Sequence, residues 1–268
     1  ADLQFYSFTD KNKKIQKLRK RIQAINPDVC VCLFPDGRHI VWAVTLMGSG
    51  IPFVYSEHHC PDTIEHCFWT RAGRLAAMSG ADIIQLLLPS YVQSIPDFLR
   101  SRVRVVQNPI TAPACIADPL GEKAPRKVML WLARLHEELK QCRLAMDAFF
   151  LLAQKHSDWD MHIVGDGPDR GMLKKHADTL KLGTRIKFLG HSDLVDKHYS
   201  TAQAYCLSSR TEGLPMSLLE AMSHGLPCVA FVDCDGVSDI ISHGENGLLA
   251  KDMTAEALAQ EMDELMGN

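Results

Sequence analysis

Short apolar runs alternate along this chain with longer stretches in which apolar residues recur at helical spacing. That alternation predicts parallel strands joined by helices that cover both faces of the sheet. In the first part, strands are expected at Leu3–Ser7, Asp28–Phe34, Pro52–Tyr55, Asp82–Leu88 and Val103–Val106. Helices fall between them at about Asn12–Ile25, His39–Met47, Thr63–Met78 and Tyr91–Leu99. A proline-rich bridge follows, from Pro109 through Pro113 and Pro119 to Pro125, with linker composition and no periodicity. The alternation then restarts, with strands at Lys127–Leu132, Met161–Val164, Arg185–Leu189, Ala204–Leu207, Pro227–Phe231 and Leu248–Ala250. Helices are placed at Leu139–Lys155, Asp169–Leu180, Leu194–Tyr199, Pro215–Ser223, Val237–Ser242 and Thr254–Leu265. The expected division is a first domain over 1–112, a linker over 113–126 and a doubly wound domain over 127–268.

The first domain reads as incomplete. A nucleotide-handling half of this class opens with a strand feeding a glycine-rich turn. Here the first strand runs into Thr9–Asp10–Lys11–Asn12, and no glycine precedes Gly37. The chain is therefore expected to begin partway through a domain, and its end at Met266–Gly267–Asn268, straight after a helix, is read in the same way.

Composition narrows the classes. Hydrophobic content of 46% and charged content of 23% are those of a globular domain. A net charge of −3 argues against nucleic-acid binding, which needs an excess of Lys and Arg. No apolar run is long enough for a membrane span, and no signal-peptide pattern opens the chain. The nine cysteines lack disulfide-scaffold spacing, and Cys30, Cys32, Cys206 and Cys228 fall in apolar strands. They read as buried thiols in a reducing cytoplasm.

The stretch Ser208–Phe231 carries the most chemistry. Its pattern is strand end, loop, short helix, turn and strand, with Pro215 suited to a first helical turn and Gly225 to a C-cap. Glu212 lies in the loop and Glu220 in the helix, the second roughly 7–8 Å along the axis from Pro215. Free N–H groups and the positive end of the helix dipole point at the same place, which suits a phosphate. Leu218, Leu219, Ala221 and Met222 make that helix apolar nearly all round, so Glu220 is either a solvent-facing glutamate or a partly buried one that needs donors. Hydroxyls of a bound ribose would supply them.

EGLPMSLLEAMSHGLPCVAF resembles the E-x7-E signature of the retaining family-4 glycosyltransferases. VMLWLARL, DMHIVGDGPDRGMLKKHADTLKLGTRIKFLGH and DGVSDIISHGENGLLA continue the resemblance in register over nearly all of Lys127–Ala250. Ser56–Glu57–His58 and Val106–Ile110 extend it more weakly. The resemblance implies a GT-B architecture, in which two Rossmann-like domains face a cleft. It also implies transfer of a hexose or N-acetylhexosamine, with retention, from a UDP- or GDP-linked sugar to a glycan or lipid-linked acceptor. The flavour is that of bacterial polysaccharide-building members.

In that family an Arg and a Lys hold the donor diphosphate. The matching positions are Arg134 and Lys140, although Leu139–Lys140–Gln141 stands where the family usually has Glu-Lys-Gly. The first acid of the pair faces the donor sugar and the second binds the ribose, roles that pass to Glu212 and Glu220. Backbone amides from Gly213 through Leu214 and Pro215 to Met216 are expected at the sugar or diphosphate. The segment at Phe188–Leu189–Gly190 resembles the part that flanks the nucleobase. His58 matches a histidine that reaches the donor sugar from the first domain; an ordinary loop histidine is its alternative. With two cations and a helix N-terminus at hand, no metal or other cofactor is invoked.

Three other patterns bear on function. Gly165–Asp166–Gly167 fails as a dinucleotide fingerprint, because position 170 is Arg170, and reads as a tight strand-to-helix turn. His58, His59 and Cys60 with His66 and Cys67 fit no zinc spacing. Lys11–Arg21 packs seven basic residues into one helix, either a solvated face or a surface for anionic lipid on the inner side of a cell membrane. Two other functions stay open from the sequence: a decayed transferase fold that only binds a sugar nucleotide, and a sugar-nucleotide epimerase.

Overall fold

The computed structural model describes residues 11–33, 39–61, 71–120 and 126–267, with the side chains of 11–14 and 39 left out. The strand expected at Leu3–Ser7, Gly37, the start of the Thr63–Met78 helix, His66, Cys67 and Pro125 lie outside these residues. The chain divides into two compact units, Ala1–Gln107 and Asn108–Asn268. The bridge expected at 113–126 clusters with the second unit. Ala117 is buried there and its N–H donates to the His224 carbonyl at 2.8 Å.

Among its described residues the first unit holds four parallel strands in chain order: β1 (Cys30–Cys32), β2 (Phe53–Glu57), β3 (Ile83–Leu86) and β4 (Val103–Val105). Among the described residues three helices accompany them, α1 (Lys11–Ile25), α2 (His39–Leu46) and α3 (Arg71–Ser79). Phe53 and Tyr55 of β2 and Ile84 and Leu86 of β3 are buried, as the alternation of a packed strand requires. Arg19 of α1 donates to the carbonyls of Val44, Thr45 and Met47, so one cation of the basic run caps the end of α2. The helix expected at Tyr91–Leu99 is instead two 3₁₀ segments, Pro89–Ser94 and Asp97–Arg102. Pro96 is the cause: it drives Ile95 to an extended backbone (φ −93°, ψ 129°) and cannot continue the hydrogen-bond ladder.

The second unit is a six-stranded parallel sheet. Its strands are β5 (Lys127–Leu132), β6 (Trp159–Val164), β7 (Ile186–Gly190), β8 (Ala204–Leu207), β9 (Cys228–Phe231) and β10 (Leu248–Ala250), ordered β10-β9-β8-β5-β6-β7. The connecting helices are α4 (Glu137–Lys140), α5 (Cys142–Leu152), α6 (Arg170–Thr179), α7 (Val195–Thr201), α8 (Met216–Ser223) and α9 (Ala255–Gly267). The sheet core contains Trp131, Phe149, Met161, Tyr199, Tyr205 and Phe231, all nearly or fully buried. Strand order reverses between β5 and β8, which pair through Met129 with Ala204 and Leu130 with Tyr205. In a doubly wound sheet the carboxyl ends at such a reversal are where ligands bind.

Two predicted helices of this unit differ. Leu139–Lys155 is broken at Gln141, whose left-handed backbone (φ 47°, ψ 44°) separates α4 from α5. Val237–Ser242 is a series of turns, with the N–H groups of Ile240 and Ile241 both returning to the Val237 carbonyl. Cys206 and Cys228 are buried, whereas Cys30 and Cys32, read as buried from their apolar setting, are half-buried on a three-residue strand. No disulfide forms among the described residues. No helix among them is long and apolar enough to cross a membrane.

Candidate functional site

The carboxyl ends of β5 and β8 lead into the two segments that carry the expected cations and acids. After β5, the loop 133–136 presents Arg134, and α4 ends in Lys140. After β8, the loop 208–215 presents Glu212 and runs into α8, which carries Glu220. The loops close on each other: Lys140 Nζ lies 2.5 Å from Glu212 Oε1, with both side chains largely shielded. The guanidinium of Arg134 is exposed and has no partner among the described residues. One cation is thus committed to an acid while the other is left to meet an incoming anion.

This meeting is built by backbone contacts. Trp131 Nε1–H donates to Ser208 Oγ at 2.9 Å, and the Ser208 hydroxyl faces the carbonyls of Lys140 and Gln141 at 2.9 and 3.0 Å. The Arg210 N–H donates to the Leu139 carbonyl at 2.8 Å. The last carbonyls of α4, which have no helical partners of their own, are therefore satisfied by the segment that carries Glu212. Thr211 Oγ1 donates to Asp235 Oδ2 at 2.8 Å and secures that loop from the other side. Gln141 occupies a backbone conformation that glycine adopts without strain. Gln141 thus makes, at a positive φ, the turn that separates α4 from α5.

The Arg134 loop is fixed by the turn at Gly165–Asp166–Gly167. The Leu135 N–H donates to the Asp166 carbonyl, and the Glu137 N–H to Asp169 Oδ2 at 2.7 Å. A Cβ at Gly165 would stand 2.0 Å from the Ala133 carbonyl oxygen, and one at Gly167 2.3 Å from that of Leu135. These glycines allow the two loops to touch, a role beyond the tight turn read from sequence. Gly190 is buried at φ 78° and its carbonyl accepts from the Gly165 N–H at 2.7 Å. The segment expected to flank a nucleobase is thereby tied to the same turn.

The helix start departs from expectation. Pro215 is the N-cap of α8 rather than its first residue, and it has no N–H to offer. The Met216 N–H is taken by the Leu214 carbonyl at 2.8 Å. Of the four expected positions, the amides of Gly213 and Leu214 form no hydrogen bond among the described residues. Glu220 is half-buried, and the sequence missed a donor for it: Tyr199 Oη lies 3.0 Å from Glu220 Oε2.

His58 belongs to the first unit, at the end of β2. Ser56 Oγ donates to Gln85 Oε1 at 2.7 Å and so accepts from His58 Nε2–H at 2.9 Å. Gln85 Nε2 in turn donates to the Val106 carbonyl, which joins the two weakly matching motifs of this unit. Burial, with a smaller push from His59, lowers the His58 pKa. The ring is then neutral at pH 7, with Nδ1 as its acceptor. Among the described residues no group of three or more His, Cys, Asp or Glu is placed to hold a metal ion.

A family model described as glycosyl transferases group 1 matches residues 116–268. The chain is 28% identical over 255 residues to an uncharacterized glycosyltransferase of Haemophilus influenzae, which covers 94% of this chain and 70% of that protein. It is 27% identical over 251 residues to the lipopolysaccharide 1,6-galactosyltransferase of Escherichia coli, covering 90% and 66%. The structure of Anabaena HepE in complex with UDP superposes with a TM-score of 0.77 at 20% identity, over 94% of this chain and 72% of that one. The structural likeness shows the fold, two α/β units with parallel sheets in the GT-B class.

Proposed function

Because the chain belongs to the group 1 glycosyl transferases, we propose that it moves a hexose or N-acetylhexosamine from a nucleoside-diphosphate sugar to a glycan or lipid-linked acceptor, with retention at the anomeric carbon. One observation carries this reading: Arg134, exposed and unpartnered among the described residues, lies on the loop beside the Lys140–Glu212 pair at the strand-order reversal. A leaving nucleoside diphosphate gains negative charge as its bond to the sugar breaks, and two fixed cations stabilise that charge most where it grows. The amides of Gly213 and Leu214 supplement them.

In this scheme the C1–O(phosphate) bond breaks and the bond to the acceptor oxygen forms on the same face of the sugar. The acceptor proton passes to an oxygen of the departing phosphate. Glu212 holds and orients the sugar through its hydroxyls and does not attack C1. His58 of the first unit offers Nδ1 as an acceptor for a hydroxyl, and its assignment to a sugar rests on the Ser56–Glu57–His58 resemblance and on the tautomer its partners impose. UDP, present in the HepE structure, is the first nucleotide to try, with GDP beside it. The name of the Escherichia coli relative supports a lipid-linked glycan as acceptor.

Calorimetry with UDP, GDP, ADP and their monophosphates tests the diphosphate site. One diphosphate is expected to bind about tenfold or more tighter than its monophosphate, the worth of a charge-assisted contact. Equal binding of mono- and diphosphate, or no binding of any, sinks the assignment. Turnover of the matching labelled sugar nucleotide, with and without glycan acceptor, then separates transfer from epimerisation and from binding alone.

The first unit adds a surface suited to anionic lipid. Lys17, Lys20 and Arg21 of α1 are exposed, and the adjoining α2 turn exposes Val44 and Met47. Cations beside protruding apolar side chains match a negatively charged interface. Sedimentation with phosphatidylcholine vesicles, with and without phosphatidylglycerol, reads this directly. Binding is expected only with the anionic lipid and is lost in Lys20→Glu/Arg21→Glu; equal sedimentation of wild type and variant refutes the surface.

A further inference from the structure

Tyr199 is fully buried under α8, its ring 6.0 Å from that of Tyr205 and 5.0 Å from that of His224. Its hydroxyl lies 3.0 Å from Glu220 Oε2 and 3.1 Å from the Ser217 carbonyl. Both neighbours only accept, so the single phenolic proton serves them, and the carboxylate is the stronger acceptor. Burial, with Tyr205 and Glu220 beside it, raises the phenol far above its usual range, which keeps it a donor at any working pH. Tyr205 Oη donates to Ser217 Oγ at 2.7 Å and holds the first turn of α8 from the same side. Glu220 Oε1 has no hydrogen-bond partner among the described residues.

We propose that Tyr199 is a positioning residue for nucleotide binding: it tethers one oxygen of Glu220 so that the other is presented to the ribose hydroxyls of the donor. The proposal rests on the reading of Glu220 as the ribose-binding acid and adds how that acid is held. A free glutamate on a short helix samples several rotamers, and a ligand must select one of them. A tethered one has that ordering done before the ligand arrives, which raises affinity without a new contact.

The test is calorimetry on the whole protein with UDP or GDP, whichever binds wild type more tightly, and with its 2′,3′-dideoxy analogue. Wild type, Tyr199→Phe and Glu220→Gln are compared by the ratio of the two affinities within each sample. That ratio is insensitive to the fraction of protein that is folded, so a partly unfolded variant still gives a reading. Tyr199→Phe is expected to weaken ribonucleotide binding about tenfold and leave the dideoxy analogue unchanged. A structural role alone would lower both affinities together, and that result, or no change in either, overturns the tether. If Glu220→Gln leaves the ratio at its wild-type value, the ribose assignment fails and the tether falls with it. If Glu220→Gln collapses the ratio and Tyr199→Phe does not, the tether alone is wrong.

Discussion

Arg134→Ala and Glu212→Ala each lower the rate of sugar transfer by about a hundred- to a thousandfold, the loss typical of removing one preorganised electrostatic contact to a transition state. Arg134 is exposed and unpartnered among the described residues, so its removal leaves the fold untouched and melting temperature unchanged. Its loss appears in kcat as well as KM, because the charge it meets is larger in the transition state than in the bound donor. Glu212→Ala releases Lys140, which then pairs with the diphosphate without first giving up a carboxylate. Nucleotide affinity is therefore expected to hold or rise in this variant while transfer falls. Lys140→Met lowers both. Arg134→Ala/Lys140→Met is expected to cost less than the product of the single losses, since both cations act on one anion. Transfer at the wild-type rate in Arg134→Ala or Glu212→Ala would remove this site from the chemistry.

Much of this site was legible in the sequence because its parts follow strand ends. β5, β8 and β10 have the bounds predicted from their apolar runs. The residues next in line, Arg134 and Glu212, inherit their positions from the reversal of strand order. What stayed hidden depends on partners distant in sequence. Tyr199 is the last residue of a predicted helix, and nothing local marks its hydroxyl as the donor to Glu220, 21 residues on. Ser208 reads as a strand end, yet it receives Trp131 and faces carbonyls near residue 140. The break at Gln141 is invisible because glutamine is a good helix former, and only tertiary contacts force its positive φ. Pro215 shows the reverse error: proline suits a first helical turn, but here it caps α8, and the amide after it is already bonded.

Arg74→Met destabilises the first unit by about 3–5 kcal/mol, the cost of leaving a buried carboxylate without its cation. Glu57 is completely inaccessible and the Arg74 side chain is 5% exposed. The guanidinium makes a two-pronged contact, Nε to Oε2 at 3.1 Å and Nη2 to Oε1 at 2.8 Å. Tyr55 Oη donates to Oε2 at 2.8 Å, and Arg74 Nη2 also donates to Ser94 Oγ at 2.9 Å. This pair joins β2, α3 and the first 3₁₀ segment, which the sequence places 17 or more residues apart. The comparison of interest is with Glu57→Gln/Arg74→Met. Removing the charge together with its partner is expected to restore part of the loss, because a neutral amide is far less costly to bury than an unpaired anion. Hydrogen exchange of the Phe53–Glu57 amides reads the effect in the first unit alone, with protection in Arg74→Met falling about a hundredfold or more for a loss of this size. Equal protection in the single and double variants would show that the pair acts by packing rather than by charge. His58 follows Glu57 directly, so the same variant also loosens the end of β2 from which His58 and Ser56 face Gln85. Transfer in Arg74→Met should therefore decline with temperature earlier than in wild type, while nucleotide binding by Arg134 and Lys140 of the second unit persists.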